Sequence, residues 1–326
     1  MKIASFFSGA GGLDLGFEKA GFEIVYANDI DKDVWETFEK NHGVKIDGRS
    51  IIHVKPEEVS DEAVGFVGGP PCQSWSLAGE MKGINDKRGK LFYEYLRLLE
   101  AKKPKFFLAE NVPGIISKTH ISEFLKIIER FESLGYNVSY KLLDATEFGV
   151  PQERKRVIVI GYRIDLGKRF DFNKLNKSNK VSLKKAIGDL PISLPAKEKN
   201  KPNEKLEFPN HEHLIGGFST IYMSRNRRKN WEDPSFTIQA GGRHAPIHPD
   251  SPIMEKLGKD LWQFDPGKAG KIRRLSVREC ARIQTFPDDF IFYYDNVAKG
   301  YKMIGNAVPV KLAEVIAKQI MSDLIN

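Results

Sequence analysis

Only two of the 326 residues are cysteines, Cys72 and Cys280, and they lie far apart in the chain. That excludes a disulfide framework and fits a reducing cytoplasm. No apolar run is long enough to cross a bilayer as a helix. The opening residues 1–7 begin like a signal peptide, but Gly9, Gly11, Gly12 and Asp14 interrupt the pattern. They read instead as a first strand. Internal repeats and low-complexity segments are also missing, which sets aside solenoids and disordered tails. His211 and His213 have no cysteine partners nearby, so no zinc cluster and no metal are expected.

What is present is an ordinary globular composition, 41% hydrophobic and 29% charged. A chain of this length can bury one large core or two smaller ones. The net charge of +8 is unevenly spread: residues 1–160 carry −2 and the remainder +10. Such a division suits one part for chemistry and another for a polyanion, or simply a solvated lysine-rich surface.

Short apolar runs at Ile3–Phe7, Ile24–Ala27, Val64–Val67, Phe106–Ala109 and Val157–Ile160 read as strands. Helical spacing separates them, as in Leu91–Glu100 and Ser122–Leu134, with Ser122 a candidate N-cap and Gly135 a candidate stop. This alternation predicts a doubly wound α/β domain with a mostly parallel sheet. From about Lys168 the texture becomes rich in Lys, Asn and Pro, and the periodicity weakens. Val310–Ile325 is again an amphipathic helix. The pattern predicts catalytic residues 1–180, a smaller inserted domain with its hinge at 181–299, and a return to the first core at 300–326.

Phe7-Ser8-Gly9-Ala10-Gly11-Gly12 follows the first strand and opens a helix, a turn that lets backbone approach a nucleotide-like ligand. Asp29 ends the second strand, where it can accept hydrogen bonds from ribose hydroxyls or merely cap a helix. Gly69-Pro70-Pro71-Cys72-Gln73-Ser74-Trp75-Ser76 follows a buried strand; its prolines hold the thiol in place, as a nucleophile requires. Glu110 ends another strand, where a carboxyl in a dry pocket can donate to or protonate a heteroaromatic ring, or merely cap a helix or join a surface salt bridge. In Gln152-Glu153-Arg154-Lys155-Arg156 strand alternation puts Arg154 and Arg156 on one face, to hold a base oxygen or a phosphate or to lie in solvent. Cys280 sits in a helical pattern without such a loop and reads as a packing residue.

In this order the segments resemble the DNA cytosine-5 methyltransferases, and Arg278–Gln284 and Gly305–Pro309 match that family's last two motifs. The resemblance covers nearly the whole chain. It implies a Rossmann-like fold that binds S-adenosylmethionine and releases S-adenosylhomocysteine, with an inserted target-recognition domain. It implies cofactor contacts at Phe7, Ser8, Gly9, Ala10, Gly11, Gly12, Asp29, Pro70, Leu91, Asn306 and Val308. It makes Cys72 the nucleophile, Glu110 the acid on the base, and Arg154 and Arg156 neighbours of the target cytosine. The family often has Gly-Asp-Ile after the third strand; this chain has Asp47-Gly48-Arg49-Ser50-Ile51. Asp47 takes the adenine amino group from a shifted position, or Ser50 and backbone groups do.

Cytosine C6 is inaccessible inside a duplex, so the resemblance also implies base flipping. Between Gln152–Arg156 and Arg278–Gln284 lie Tyr222–Arg228 and Ser235–Arg243, which resemble the recognition stretches of bacterial modification methyltransferases reading GGCC. Arg225, Arg227 and Arg243 are the candidate guanine readers, the alternative being phosphate contacts. A monomer on double-stranded DNA in the cytoplasm, away from membranes, is expected. A cognate restriction endonuclease would share its site without a stable complex. A transfer-RNA cytosine-5 methyltransferase and a non-catalytic DNA-binding module are the rival readings.

Overall fold

The apolar runs become neighbouring strands. The computed structural model describes residues 1–70, 89–265, 267 and 272–325. Strands β1 (Lys2–Phe6), β2 (Glu23–Asn28), β3 (Ile46–Asp47), β4 (Ala63–Gly68), β5 (Phe106–Asn111), β6 (Tyr136–Asp144) and β7 (Lys155–Arg163) form one sheet in the order β3-β2-β1-β4-β5-β7-β6. β1 to β5 pair in parallel, while β7 is antiparallel to β5 and β6. The chain winds outward from β1 to β3, then restarts at β4 on the other side of β1. The carboxyl ends of β1 and β4 therefore flank a topological switch point, where open α/β sheets bind ligands.

Helices α1 (Gly12–Lys19), α2 (Lys32–His42), α3 (Gly89–Lys102) and α4 (Ile121–Ser133) separate these strands. Helix α4 starts one residue before the expected Ser122, and His120 precedes it without a side-chain cap. Gly135 does follow the helix, at φ +90°, a conformation that costs glycine little. The core is aromatic: Phe107 stacks on Phe131 at 4.2 Å, and Phe6 tilts against Phe66 at 5.0 Å. All four side chains are fully buried, each contributing about 1.5–3 kcal/mol. Edge strand β6 was missing from the expected strands. Its residues alternate between buried and more exposed positions along much of its length, the signature of one covered face rather than of a continuous apolar run.

The chain divides into two compact units. The first comprises residues 1–144, 155–176 and 312–326; the second comprises 145–154 and 177–311. The second unit has little regular structure: α5 (Leu183–Ile187), short pairs β8 (Leu194–Pro195) with β9 (Glu212–His213) and β10 (Met254–Gly258) with β11 (Leu261–Phe264), then α6 (Val277–Ile283) and α7 (Val297–Asn306). A small core of Tyr222, Ile247, Met254 and Phe264 forms there. The Arg274 guanidinium lies 4.3 Å over the Phe218 ring. Helix α8 (Val310–Ile325) closes the chain, and its residues from Leu312 onward belong to the first unit. Among the described residues no helix is long and apolar enough to cross a membrane.

Candidate active site and nucleic-acid interface

In the first unit the glycine-rich turn leaves the carboxyl end of β1. Phe7, Gly9 and Gly11 all have positive φ, at 53°, 56° and 85°. For Phe7 that conformation costs about 1–2 kcal/mol, a local strain of the kind that clusters at functional sites. The turn is held by Gly11 N–H donating to Ser8 O (3.0 Å), and by Gly9 N–H donating to Asp29 Oδ2 (2.8 Å). Asp31 N–H donates to the other Asp29 oxygen at 2.8 Å, which fixes the carboxylate at the end of β2. A side chain added at Gly9 meets no described atom within 4 Å, so the outer face of the turn is open. One added at Gly11 would lie 1.9 Å from His42 Nε2. Beneath the turn, His42 Nδ1 meets Glu18 Oε2 at 2.8 Å, and Asp14 is fully buried. Burial pushes the Asp14 carboxyl up to about 6, opposed by the nearby His42.

Asp47 is engaged locally. The Tyr26 hydroxyl donates to it at 2.9 Å and Arg49 pairs with it at 2.7 Å. The guanidinium holds its carboxyl below the usual range. Arg49 also reaches Glu58 at 3.1 Å. An adenine amino group would have to share an acceptor already committed to two donors. Leu91 is half-buried against the core of this unit.

The ends of β4, β5 and β7 converge on Glu110. Its Oε1 lies 2.6 Å from Arg156 Nε, and both side chains are 12% exposed. A methyl group on Gly69 would stand 3.3 Å from Glu110 Oε2. The neighbouring Asn111, buried, donates from Nδ2 to Pro70 O at 2.9 Å. The strand end that presents Glu110 is thus tied to the start of the Pro-Pro-Cys loop. Cys72, with Pro71 and the rest of that motif through Ser76, lies outside the described residues.

Arg154 and Arg156 do not share a strand face. Strand β7 begins at Lys155, so alternation does not extend back to Arg154. Arg154 belongs to the second unit and is 1% exposed. It donates to Ile238 O (3.0 Å), Gly305 O (2.9 Å) and Ala307 O (2.9 Å). Gln152 and Gln284, both fully buried, extend this network: Gln152 Nε2 donates to Gln284 Oε1 at 2.9 Å, and Gln284 Nε2 to Ile304 O at 2.8 Å. Sequence reasoning passed over both glutamines. The signal at Gln152 is a neutral amide beside a charge run; Gln284, between Ile283 and Thr285, carries none. Asn306 is exposed at the end of α7, and Val308 is buried.

The second unit also carries the arginine stretches. Arg225 and Arg243 are exposed, whereas Arg227 is 6% exposed. Arg227 Nε donates to Tyr222 O at 2.9 Å, and its guanidinium lies 4.7 Å over the Tyr222 ring. Arg225, Asn226, Arg227, Phe236, Thr237, Gln239, His244 and Pro246 line a cleft of about 170 Å³. Gln239 and His244 were not among the expected site residues. A cationic cleft rimmed by amide and imidazole groups has the donors and acceptors that base edges require.

The motif at 278–284 braces this unit. Arg278, fully buried, donates to Pro209 O, Pro287 O and Phe290 O at 3.0–3.1 Å. Glu279 forms a capping box with Ser276 and a two-point pair with Arg273, 2.8 Å each. Cys280 is completely buried, and burial pushes its thiol well above the ordinary value. Among the described residues no cluster of His, Cys, Asp or Glu is placed to hold a metal ion.

Known proteins resemble the chain throughout. It is 63% identical to the Type II methyltransferase M.MthTI of Methanothermobacter thermautotrophicus, over 99% of this chain and 98% of that one. It is 53% identical to the Type II methyltransferase M.FnuDI of Fusobacterium nucleatum, over 99% and 95%. The solved structure of the Entamoeba histolytica methyltransferase EhMeth shares the fold, with a TM-score of 0.72 at 16% identity, over 99% and 98%. The family model of the C-5 cytosine-specific DNA methylases matches residues 1–322. With a mostly parallel sheet presenting a glycine turn and Glu110 at the carboxyl ends of its parallel strands, this chain belongs to the C-5 cytosine-specific DNA methylase family.

Proposed function

We propose that this DNA (cytosine-5)-methyltransferase modifies the inner cytosine of GGCC in duplex DNA through a covalent adduct between Cys72 and C6. The observation that carries the site assignment is the Glu110–Arg156 pair at 2.6 Å, at a strand end bonded through Asn111 to Pro70, two residues before Cys72. The other cysteine is excluded by its environment, since a fully buried thiol with a raised pKa supplies little thiolate.

S-Adenosylmethionine supplies an electrophilic methyl group. The glycine turn fits it through the open face at Gly9 and the fixed Asp29 carboxylate, which suits ribose hydroxyls. Pro70, Leu91, Asn306 and Val308 complete the proposed cofactor contacts, with Asp47 accepting from adenine only if Arg49 and Tyr26 yield. Cytosine C5 is a weak nucleophile until a thiolate adds at C6 and makes the ring enamine-like. Glu110 hydrogen-bonds N3 and the exocyclic amine, and Arg156 holds Glu110 in place. C5 would then take the methyl carbon as its bond to the sulfonium sulfur breaks and S-adenosylhomocysteine leaves; loss of the C5 proton to a base expels the Cys72 thiolate and restores the ring.

Arg225, which lines the cleft, and Arg243, exposed next to the cleft-lining His244 in sequence, are the proposed guanine readers, with Arg227 lining the cleft from an anchored position. The similarity to Type II methyltransferases supports a role in restriction-modification; the proposed form is a monomer, and the proposed endonuclease partner shares its site without a stable complex. The test is to map methylated bases on a mixed-sequence duplex, and to trap the enzyme on a duplex with 5-fluorocytosine at the target. 5-Methylcytosine confined to GGCC, with an adduct lost in Cys72→Ala, is the expected result. Methylation elsewhere sinks the recognition reading, and turnover by Cys72→Ala sinks the covalent one. Modification of transfer RNA alone overturns the DNA substrate.

A further inference from the structure

The run 151–154 does not behave as a catalytic strand. Ser235 N–H donates to Pro151 O (2.9 Å), and Glu153 N–H donates to Ser235 O (2.8 Å), pairing Gln152 with Ser235 in parallel. Ile238 N–H donates to Gln152 Oε1 at 2.7 Å, and the Thr237 hydroxyl donates to Glu153 O. Arg154 Nη1 closes the series on Ile238 O at 3.0 Å. Lys229 pairs with Glu153 at 2.7 Å while its ammonium sits 4.5 Å over the Phe236 ring. Phe236, Thr237 and Gln239 line the arginine cleft. The segment that supplies one wall of that cleft is therefore bonded through Ser235, Thr237 and Ile238 to the run that the family resemblance assigns to the target base.

The opposite hand of Arg154 holds Gly305 O and Ala307 O, both at 2.9 Å. Gly305 has no room for a side chain: its Cβ would lie 2.2 Å from Gln239 O. Gln239, which lines the cleft, thus lies with its backbone against the end of α7 that Arg154 holds. A planar guanidinium with several fixed donors can serve both directions at once, which a lysine ammonium does less well.

We propose that Arg154 is a positioning residue for sequence reading: it sets the wall 235–239 of the cleft, and it does not touch the target cytosine. This rests on the reading of Arg225 and Arg243 as base contacts. Base discrimination requires reading groups held to about 0.5 Å, and a wall released from its buried clamp no longer meets that tolerance. The loss falls on the choice among sequences, not on chemistry at the flipped base.

The experiment compares transfer rates of wild type and Arg154→Lys on GGCC duplexes and on duplexes changed at one guanine. Adduct formation on 5-fluorocytosine duplex and S-adenosylhomocysteine affinity are measured alongside. The expected result is a loss of about tenfold in discrimination, at the low end of what a bidentate arginine–guanine contact supplies, with the adduct still formed. A uniform fall on all duplexes, with discrimination intact and the adduct lost, overturns the proposal in favour of a role at the target base. If Arg154→Lys does not fold by thermal melt, Thr237→Val removes one clasp of the same wall. It is expected to lower discrimination in the same direction, and unchanged discrimination overturns the proposal. Arg225→Ala and Arg243→Ala are the control: if neither alters discrimination, the reading of the cleft fails, and the failure is separable from that of Arg154.

Discussion

The substitution Asp14→Asn is expected to stabilise the protein at neutral pH, although it removes a charge from beside the cofactor turn. Asp14 lies in the first turn of α1, is fully buried, and has its carboxyl raised to about 6 chiefly by burial. The ordinary value is 3.8. A difference of about two units corresponds to about 3 kcal/mol, at about 1.4 kcal/mol per unit. The sign follows from proton binding. The folded state binds this proton more tightly than the unfolded one, so stability falls as pH rises from about 4 to about 6. Above that the full cost remains; below about 4 it vanishes. The substituted amide would not ionise, but it must itself be accommodated, which returns about 1–2 kcal/mol of the gain. The net expectation is a stabilisation of about 1–2 kcal/mol at pH 7.5, or a few degrees in melting temperature, shrinking towards pH 4. Melting curves of the two proteins from pH 4 to 7.5 provide the assay. A substitution that destabilises at pH 7.5, with the gap closing at low pH, would refute the reasoning. It would mean that attraction to His42 outweighs the cost of burying the charge.

Gly11→Ala forces a side chain into φ +85° and towards His42 Nε2; it should cost more than about 1 kcal/mol in stability and weaken S-adenosylhomocysteine binding in calorimetry. Cys280→Ala should keep methyl transfer while lowering the melting temperature, because the thiol only fills the packed second unit; loss of the 5-fluorocytosine adduct in that variant would contradict this. Burial pulls His213 and His248 down to about 4. Their folded values lie below the unfolded ones, so they contribute stability above about pH 6.5 that is lost as pH falls towards 4. Hydrogen exchange across residues 193–279 should therefore accelerate over that interval, and a flat profile would argue against it.

Much of the first unit was legible because its strands are buried on both faces and so read as continuous apolar runs. The turn at 9–12 and the acid at Asp29 follow from the same logic, since positive φ and a strand-end carboxylate leave clear residue types. Strand β6 was missed because only one of its faces is covered. Arg154 was misplaced because alternation applies within a strand, and β7 starts one residue later. Arg227 shows a deeper difficulty: an arginine that braces a loop through Tyr222 and one that waits for a base look alike in sequence. Burial separates them, and burial in the irregular second unit has no period to reveal it.

The strip 145–154 has a consequence for exchanging specificity between such enzymes. The second unit is discontinuous in the chain, entered once at Ala145 and again at Lys177. A chimera that transplants only residues 177–311 imports the wall 235–238 without the backbone that pairs with it at 151–153. The donor's reading surface would then rest on a foreign strip. Two grafts, not one, make up the transferable cassette, and the shorter, only ten residues long, is the one that a map of the arginines alone would leave behind.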